Sequence, residues 1–102
     1  MKALKILRSA RRDLAAGSGF YEDQETGIGE YFIASLREQI EVLKKTGGTR
    51  RIDHRKFHRL VCHTFPYAVY YTATEETITI YAVVDCRRDL KWIRKHLDET
   101  NR

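Results

Sequence analysis

One short stretch of the chain holds most of the side chains able to perform chemistry. Residues 50–63, "RRIDHRKFHRLVCH", contain four arginines, one lysine and three of the four histidines. Histidine moves protons near neutral pH, and the planar guanidinium of arginine binds phosphate or carboxylate through paired hydrogen bonds. The stretch is therefore a candidate catalytic site, a candidate anion-binding surface or, in the plainest interpretation, the solvated face of a strand.

A metal site is the weakest interpretation of these residues. His54, His58 and Cys62 are spaced by four, which would align them on a helix. The surrounding residues are typical of a strand, in which four residues span about 13 Å. The paired close spacings of structural zinc sites are also missing, so we expect no metal and no other cofactor. Cys62 and Cys86 are expected to be reduced, inert thiols.

Length and composition indicate a single domain, residues 1–102. The charged fraction is 32% and the hydrophobic fraction 42%, as in ordinary folded proteins. No apolar run approaches the roughly 18 residues that a membrane span needs. The first residues also lack the apolar stretch of a signal peptide. We therefore expect a cytoplasmic protein with no membrane association.

Charge is segregated along the chain. Residues 22–41 contain six acids against one cation, whereas residues 50–63 and 86–95 each contain five cations against one acid. Segregation on this scale favours a polyanionic partner such as nucleic acid, or an acidic protein segment.

The first half of the chain has the pattern of a strand followed by two helices. "ALKIL" is a short apolar run, and Ser9 after it is a plausible N-cap. Gly17 and Gly19 in the first helix each cost about 1 kcal/mol relative to alanine. The apolar residues of the second helix recur at helical spacing up to "KKTGG": Phe32, Leu36, Ile40 and Leu43. The two helices should form an antiparallel hairpin.

From residue 49 onward the pattern changes to strands. "KFHRLVCH", "YAVYYTA" and "TITIYAVV" are rich in β-branched and aromatic residues. Strand alternation predicts that two sets of residues face the helices: Tyr67, Val69 and Tyr71, and Ile78, Ile80 and Ala82. Tyr70 would point the other way and is a candidate for exposure.

A last helix should follow the strands. Asp89 can cap it, and Leu90, Ile93 and Leu97 form its apolar stripe. The sequence therefore predicts an α+β fold, a β-α-α hairpin followed by a three- to four-stranded antiparallel sheet and a C-terminal helix.

Several blocks, in this order, resemble the RelE/ParE superfamily of type II toxin–antitoxin toxins. They are "SARRDLAAGSGFYEDQETGIGEYF", "FPYAVYY" and "ITIYAVVDCRRDL", and they extend from Ala10 to about Arg94. The "FPY" and "RRD" blocks favour the ParE-like branch. Leu90 stands where many relatives have proline, a harmless difference because Asp89 can cap the helix. Asp85 stands where a histidine is common, and the loss of this possible proton carrier counts against RNA cleavage.

The resemblance implies a toxin that arrests bacterial growth and is silenced by a cognate antitoxin, in a hetero-oligomer. In the ParE branch the target is DNA gyrase, and no catalytic residue is needed. In the RelE branch the toxin cleaves mRNA on the ribosome; His54, Arg59 and Tyr81 are then the catalytic candidates. A relative that has lost toxicity and only binds the antitoxin is a third alternative.

Two sets of residues are predicted to bind partners. The candidates for target or nucleic-acid binding are the cations of the basic stretch and of the last strand end: Arg50, Arg51, Arg55, Lys56, His58, Arg87 and Arg88. The candidates for antitoxin binding are Glu30, Glu38, Glu41 and Trp92, since an acidic hairpin suits a basic amphipathic segment.

Overall fold

The computed structural model describes residues 1–47 and 51–100, so Arg50 of the predicted basic stretch lies outside the described residues. The elements in chain order are β1 (Ala3–Ile6), α1 (Arg8–Gln24), α2 (Ile28–Thr46), β2 (Ile52–His54), β3 (Phe57–Val61), β4 (Tyr67–Ala73), β5 (Thr77–Asp85) and α3 (Leu90–Thr100). The predicted α+β order is confirmed: a strand, a helical hairpin, further strands and a C-terminal helix.

The helical hairpin turns at Gly27, whose φ of 95° lies in the left-handed region that suits glycine. The carboxylate of Glu22 accepts hydrogen bonds from the backbone N–H groups of Gly27 at 3.0 Å and Gly29 at 2.9 Å. These N–H groups lie at the start of α2, where a helix lacks internal acceptors and favours negative charge. Glu22 therefore fixes the start of α2.

Two side chains of α1 hold that helix against β5. The hydroxyl of Ser9 donates to the backbone carbonyl of Tyr81 at 2.7 Å. The carboxylate of Asp13 accepts from the backbone N–H of Val83 at 2.9 Å. The prediction that Ser9 caps α1 is wrong, because α1 begins at Arg8 and the Ser9 hydroxyl bonds to the neighbouring strand instead.

Gly17 lies where α1 packs against Phe32 of α2. A Cβ atom at Gly17 would lie 2.5 Å from Phe32 Cζ, well inside contact distance. The Phe32 ring cannot easily move, because it also packs against the rings of Tyr21, Phe65 and Tyr67. The glycine that weakens α1 as an isolated helix is thus required for the packing of the hairpin.

Alanine substitutions at Gly17 and Gly19 should have opposite effects on stability. Gly17→Ala should lower the free energy of unfolding by about 1–2 kcal/mol, because overpacking outweighs the gain in helix propensity. Gly19→Ala should raise it by up to about 1 kcal/mol, because nothing lies within 4 Å of its added Cβ. Urea denaturation measures both changes, and equal stabilisation of the two variants would show that the Phe32 contact imposes no constraint.

The sheet has five strands in the order β1-β5-β4-β3-β2. Strands β2 to β5 pair antiparallel with their neighbours, as predicted. β1 adds a fifth strand that pairs parallel with β5, so the sheet is mixed.

A β-bulge in β5 changes which residues face the helical hairpin. Tyr70 pairs with Ala82 whereas Tyr71 pairs with Ile80, so Tyr81 is the extra residue. Ile78 and Ile80 pack in the core beneath the hairpin, as predicted, but Ala82 belongs to the core on the opposite face. The prediction for Ala82 is wrong because a bulge reverses the alternation of the residues beyond it.

The second face of the sheet is covered by α3. Ile93 and Leu97 of α3 pack on a core that includes Phe57 and Tyr70. Tyr70 is 2% exposed, so its predicted exposure is wrong. Tyr67, Val69 and Tyr71 occupy the opposite core, as predicted.

The start of α3 differs in one respect from the prediction. The carboxylate of Asp89 accepts from the backbone N–H of Lys91 at 3.1 Å, so Asp89 caps the helix as expected. Leu90, the first residue of the predicted apolar stripe, is 53% exposed. The buried stripe of α3 is therefore formed by Ile93 and Leu97.

Candidate interaction surface

The tip of the β2–β3 hairpin contacts the C-terminal part of α3. Arg55 and Lys56 form the two-residue turn, and Arg55 has a φ of 51°, a positive value that such turns favour. His54 Nε2 lies 3.2 Å and Arg55 Nε 2.6 Å from Asp98 Oδ1. The hydrogen bond from Arg55 is the main reason that the pKa of Asp98 lies below its usual range. The basic turn is thus fixed to α3 by a carboxylate.

Lys56 extends from the same turn over the aromatic residues of the sheet. Its Nζ lies 4.8 Å from the centroid of the Tyr81 ring and 3.4 Å from the Tyr81 hydroxyl oxygen. The Tyr81 ring in turn packs edge-on against Phe57 at 5.0 Å. A cation and a phenol therefore adjoin each other at this end of the sheet.

Arg59 lies on the same face of the sheet but has other partners. Its Nη2 is 3.9 Å from the sulfur of Cys86, and it pairs across the strands with Tyr70. Burial raises the pKa of Tyr70, so the phenol beside the guanidinium stays protonated. The three catalytic candidates therefore have separate partners: His54 bonds to Asp98, Tyr81 to Lys56, and Arg59 adjoins Cys86 and Tyr70.

His58 lies on the opposite face of the sheet from this group. Its ring stacks on Tyr71 of β4, with the centroids 5.2 Å apart. Tyr71 belongs to the core beneath the helical hairpin. His58 therefore adjoins the core beneath the helical hairpin and is separated by the sheet from Lys56 and Arg59.

Helical spacing gives α3 two different flanks. Residues 91, 94 and 98 lie on one flank and residues 88, 92 and 96 align with the other. Since Asp98 contacts the β2–β3 turn, Lys91 and Arg94 lie on the side of the turn. We call Arg51, Arg55, Lys56, Arg59, Lys91 and Arg94 the basic surface. Within residues 1–47 and 51–100, Arg51, Arg59, Lys91 and Arg94 form no ion pair.

The other flank of α3 faces α1. The guanidinium of Arg88 lies 4.1 Å from the centroid of the Trp92 ring, and the His96 ring stacks on Trp92 at 5.0 Å with an interplanar angle of 10°. His96 Nε2 lies 3.0 Å from Asp13 Oδ1, which joins α3 to α1. Arg87 binds Asp85 through its guanidinium at 2.7 Å. Arg87 and Arg88 are therefore engaged with Asp85 and Trp92, and their role in target binding stays a prediction.

The His96–Asp13 contact makes stability depend on pH. The hydrogen bond to Asp13 is the main reason that the pKa of His96 is raised above its ordinary value. A group with a raised pKa in the folded state contributes stability below its unfolded pKa of about 6.5 and loses it as pH rises through the folded pKa. Across that range, the free energy of unfolding should fall less steeply in His96→Gln than in the wild type. Equal slopes in denaturant titrations of the two proteins would contradict this role.

A groove of about 390 Å³ runs between α1 and the flank of α3 that carries Trp92. Phe20 and Trp92, which line it, are 51% and 39% exposed. Of the predicted antitoxin residues, Trp92 lines this groove, whereas Glu30, Glu38 and Glu41 lie together on α2 and do not line it. The sequence analysis missed Asp13, Phe20 and His96. Of these, only Phe20 could have been noticed in the sequence, as an aromatic residue near the polar end of a helix.

The two cysteines are free thiols in different surroundings. Burial raises the pKa of Cys62 to about 12, which leaves almost no thiolate at neutral pH. Cys86 is partly buried beside Arg59. Among the described residues there is no group of three or more histidine, cysteine or acidic side chains placed to hold a metal ion.

Comparison with known proteins identifies the fold. No family model matches the sequence, and no curated protein matches it either. A chain in the solved structure of the chromosomal ParDE TA system from P. aeruginosa superposes with a TM-score of 0.73. The chain has a ParE-like fold. At 20% sequence identity the match covers 83% of this chain and 96% of the other, and it confirms the predicted RelE/ParE-like architecture.

In the ParE-like fold seen here, α3 carries a different surface on each flank: the basic surface beside the β2–β3 turn, and the aromatic groove beside α1. None of the helices in residues 1–47 and 51–100 combines the length and apolar character needed to cross a membrane.

Proposed function

We propose that this chain is the toxin of a type II toxin–antitoxin pair, acting in the cytoplasm and neutralised by a cognate antitoxin. The support is twofold. The fold is similar to that of a chain in a ParDE TA system, and the sequence carries the "FPYAVYY" and "CRRDL" blocks in the expected order.

The arrangement of charged residues favours binding over catalysis as the mode of action. General acid–base cleavage of RNA needs a base, an acid and a phosphate-binding cation around one reacting group. The candidates for these roles, His54, Arg59 and Tyr81, each have a different partner, and α3 covers the face of the sheet between them. The mode of action rests on four cations of the basic surface, Arg51, Arg59, Lys91 and Arg94, which form no ion pair among the described residues. A toxin that poisons its target by contact needs only such a surface.

We propose DNA gyrase as that target, following the ParE-like features of the sequence. The test uses purified chain with purified gyrase and relaxed plasmid. Inhibited supercoiling with accumulation of cleaved DNA is the expected result, and Lys91→Glu/Arg94→Glu should lose the effect. Normal supercoiling without cleaved DNA, at a large molar excess of the chain, would overturn gyrase as the target.

A ribosome-dependent mRNA endoribonuclease is the second candidate. The observation in its favour is the contact between Lys56 Nζ and the Tyr81 hydroxyl, which places a cation beside a group that can donate a proton. For this function Tyr81→Phe should abolish killing, whereas a toxin that acts by binding should tolerate the loss of one hydroxyl. Comparison of these two proteins in induced cells therefore separates the candidates.

A further inference from the structure

The groove between α1 and α3 is lined by two large aromatic side chains that remain partly exposed to solvent. Phe20 is 51% exposed and Trp92 39% exposed, and Ala16, Val83 and Val84 line the wall between them. Exposed apolar surface of this kind is unfavourable in water unless a partner covers it. An apolar side chain of a partner would fill the groove.

The geometry at Trp92 disfavours one class of partner. Proteins bind single-stranded nucleic acid by stacking bases on the faces of aromatic rings. The guanidinium of Arg88 lies 4.1 Å from the centroid of the Trp92 ring, and the His96 ring stacks on it at 5.0 Å. Because these two side chains already occupy stacking positions on the indole, an apolar side chain fits the groove better than a stacked base.

The charges around the groove indicate the chemistry of the occupant. Arg12, Arg88 and Lys95 are exposed along the two helices. The two acids that line the groove are already bonded: Asp13 accepts from His96 and Val83, and Asp85 accepts from Arg87. Glu99 is an exposed acid on α3, and the exposed cations beside the groove outnumber it. A segment with carboxylates therefore fits this surface.

Two smaller grooves continue along the same α1–α3 contact. One is lined by Trp92, Lys95, His96 and Glu99, and the other by Ser9, Arg12, Asp13, His96, Glu99 and Thr100. Between Ser9 and Phe20, α1 is roughly 16 Å long at 1.5 Å per residue. An elongated peptide segment matches this length, and a compact ligand does not.

We propose that the α1–α3 groove binds an antitoxin segment in which acidic residues flank a large apolar side chain. The proposal rests on the proposed function, since it assigns the binding site of the antitoxin. It differs from the sequence-based expectation, in which a basic segment lies along the acidic hairpin at Glu30, Glu38 and Glu41. The antitoxin-binding face and the basic surface then lie on opposite flanks of α3.

Trp92 provides a direct test because it is the single tryptophan of the chain. The probe is the purified protein encoded by the neighbouring gene, with any tryptophan in it replaced by phenylalanine. Titration should shift the Trp92 emission to shorter wavelength as the indole is buried, and binding should weaken as salt is added. Phe20→Ala and Arg88→Glu should each raise the Kd at least about tenfold, as for residues at the centre of an interface.

Matched controls make the result specific. Val42→Ala removes another half-exposed apolar side chain, on α2, and Glu38→Gln alters the acidic hairpin. Both should bind as the wild type does. If Glu38→Gln weakens binding and Phe20→Ala does not, the site is the acidic hairpin and the groove proposal is overturned. An oligothymidylate that produces the same emission shift, sensitive to Phe20→Ala, would also overturn it.

Failure of this proposal is distinguishable from failure of the proposed function. If the neighbouring protein binds and suppresses growth arrest, but the emission of Trp92 and the Kd of Phe20→Ala are unchanged, the toxin function stands and the groove proposal falls. If the neighbouring protein neither binds nor suppresses arrest, both are overturned.

Discussion

Reversal of two charges on the basic surface, Lys91→Glu together with Arg94→Glu, is expected to abolish growth arrest in cells that express the chain. Both side chains are exposed on the flank of α3 that faces the β2–β3 turn, and neither forms an ion pair among the described residues. Like charges that face each other across an interface cost several kcal/mol, so the affinity for an anionic target should fall by more than about 100-fold. Growth after induction, compared at equal expression, is the measurement.

The control for this variant carries the same change in net charge elsewhere. Lys5→Glu with Arg37→Glu alters exposed cations of β1 and α2, on elements that do not contribute to the basic surface. It should arrest growth as the wild type does. Arrest by the Lys91→Glu/Arg94→Glu protein as well would mean that these cations do not contact the target.

The second large effect concerns the attachment of α3. Leu97→Ala should lower the free energy of unfolding by about 2–5 kcal/mol, because Leu97 is fully buried and its truncation leaves a cavity against the sheet. Since α3 carries both the basic surface and Trp92, loss of its packing should also reduce toxicity. Denaturant unfolding measures the first effect, and growth after induction measures the second.

Leu90→Ala is the matched control, with the same chemical change in the same helix. Leu90 is 53% exposed, so its truncation should alter stability by no more than about 0.5 kcal/mol. Similar destabilisation by both substitutions would show that α3 does not pack through the stripe of Ile93 and Leu97.

The fold was predictable where a local pattern decides the structure. The helical spacing of Phe32, Leu36, Ile40 and Leu43 gave α2, and the β-branched runs gave β3, β4 and β5. The bulge at Tyr81 was not predictable, because it depends on how β5 pairs with β4 and no residue type marks it. The burial of Tyr70 depends on where α3 packs, which strand alternation alone does not indicate.

The site was predictable only in part. The cations of residues 51–59 lie on a hairpin as expected, yet the partners of that hairpin come from distant parts of the chain. His54 and Arg55 bond to Asp98, and His96 bonds to Asp13, which is 83 residues away in the sequence. These contacts place the β2–β3 turn beside Asp98 and His96 beside α1, and they depend on the tertiary structure.

Growth of bacterial cells after induced expression of the chain without its neighbouring gene, with the 5′ ends of cellular RNA mapped in the same culture, tests the proposed toxin most directly. If the toxin acts through the basic surface, we expect growth arrest with filamentous cells, a DNA-damage response and unchanged RNA ends. New cuts within coding sequences would contradict action by binding and would indicate the endoribonuclease. Continued growth despite accumulation of the protein would contradict a toxin of either kind.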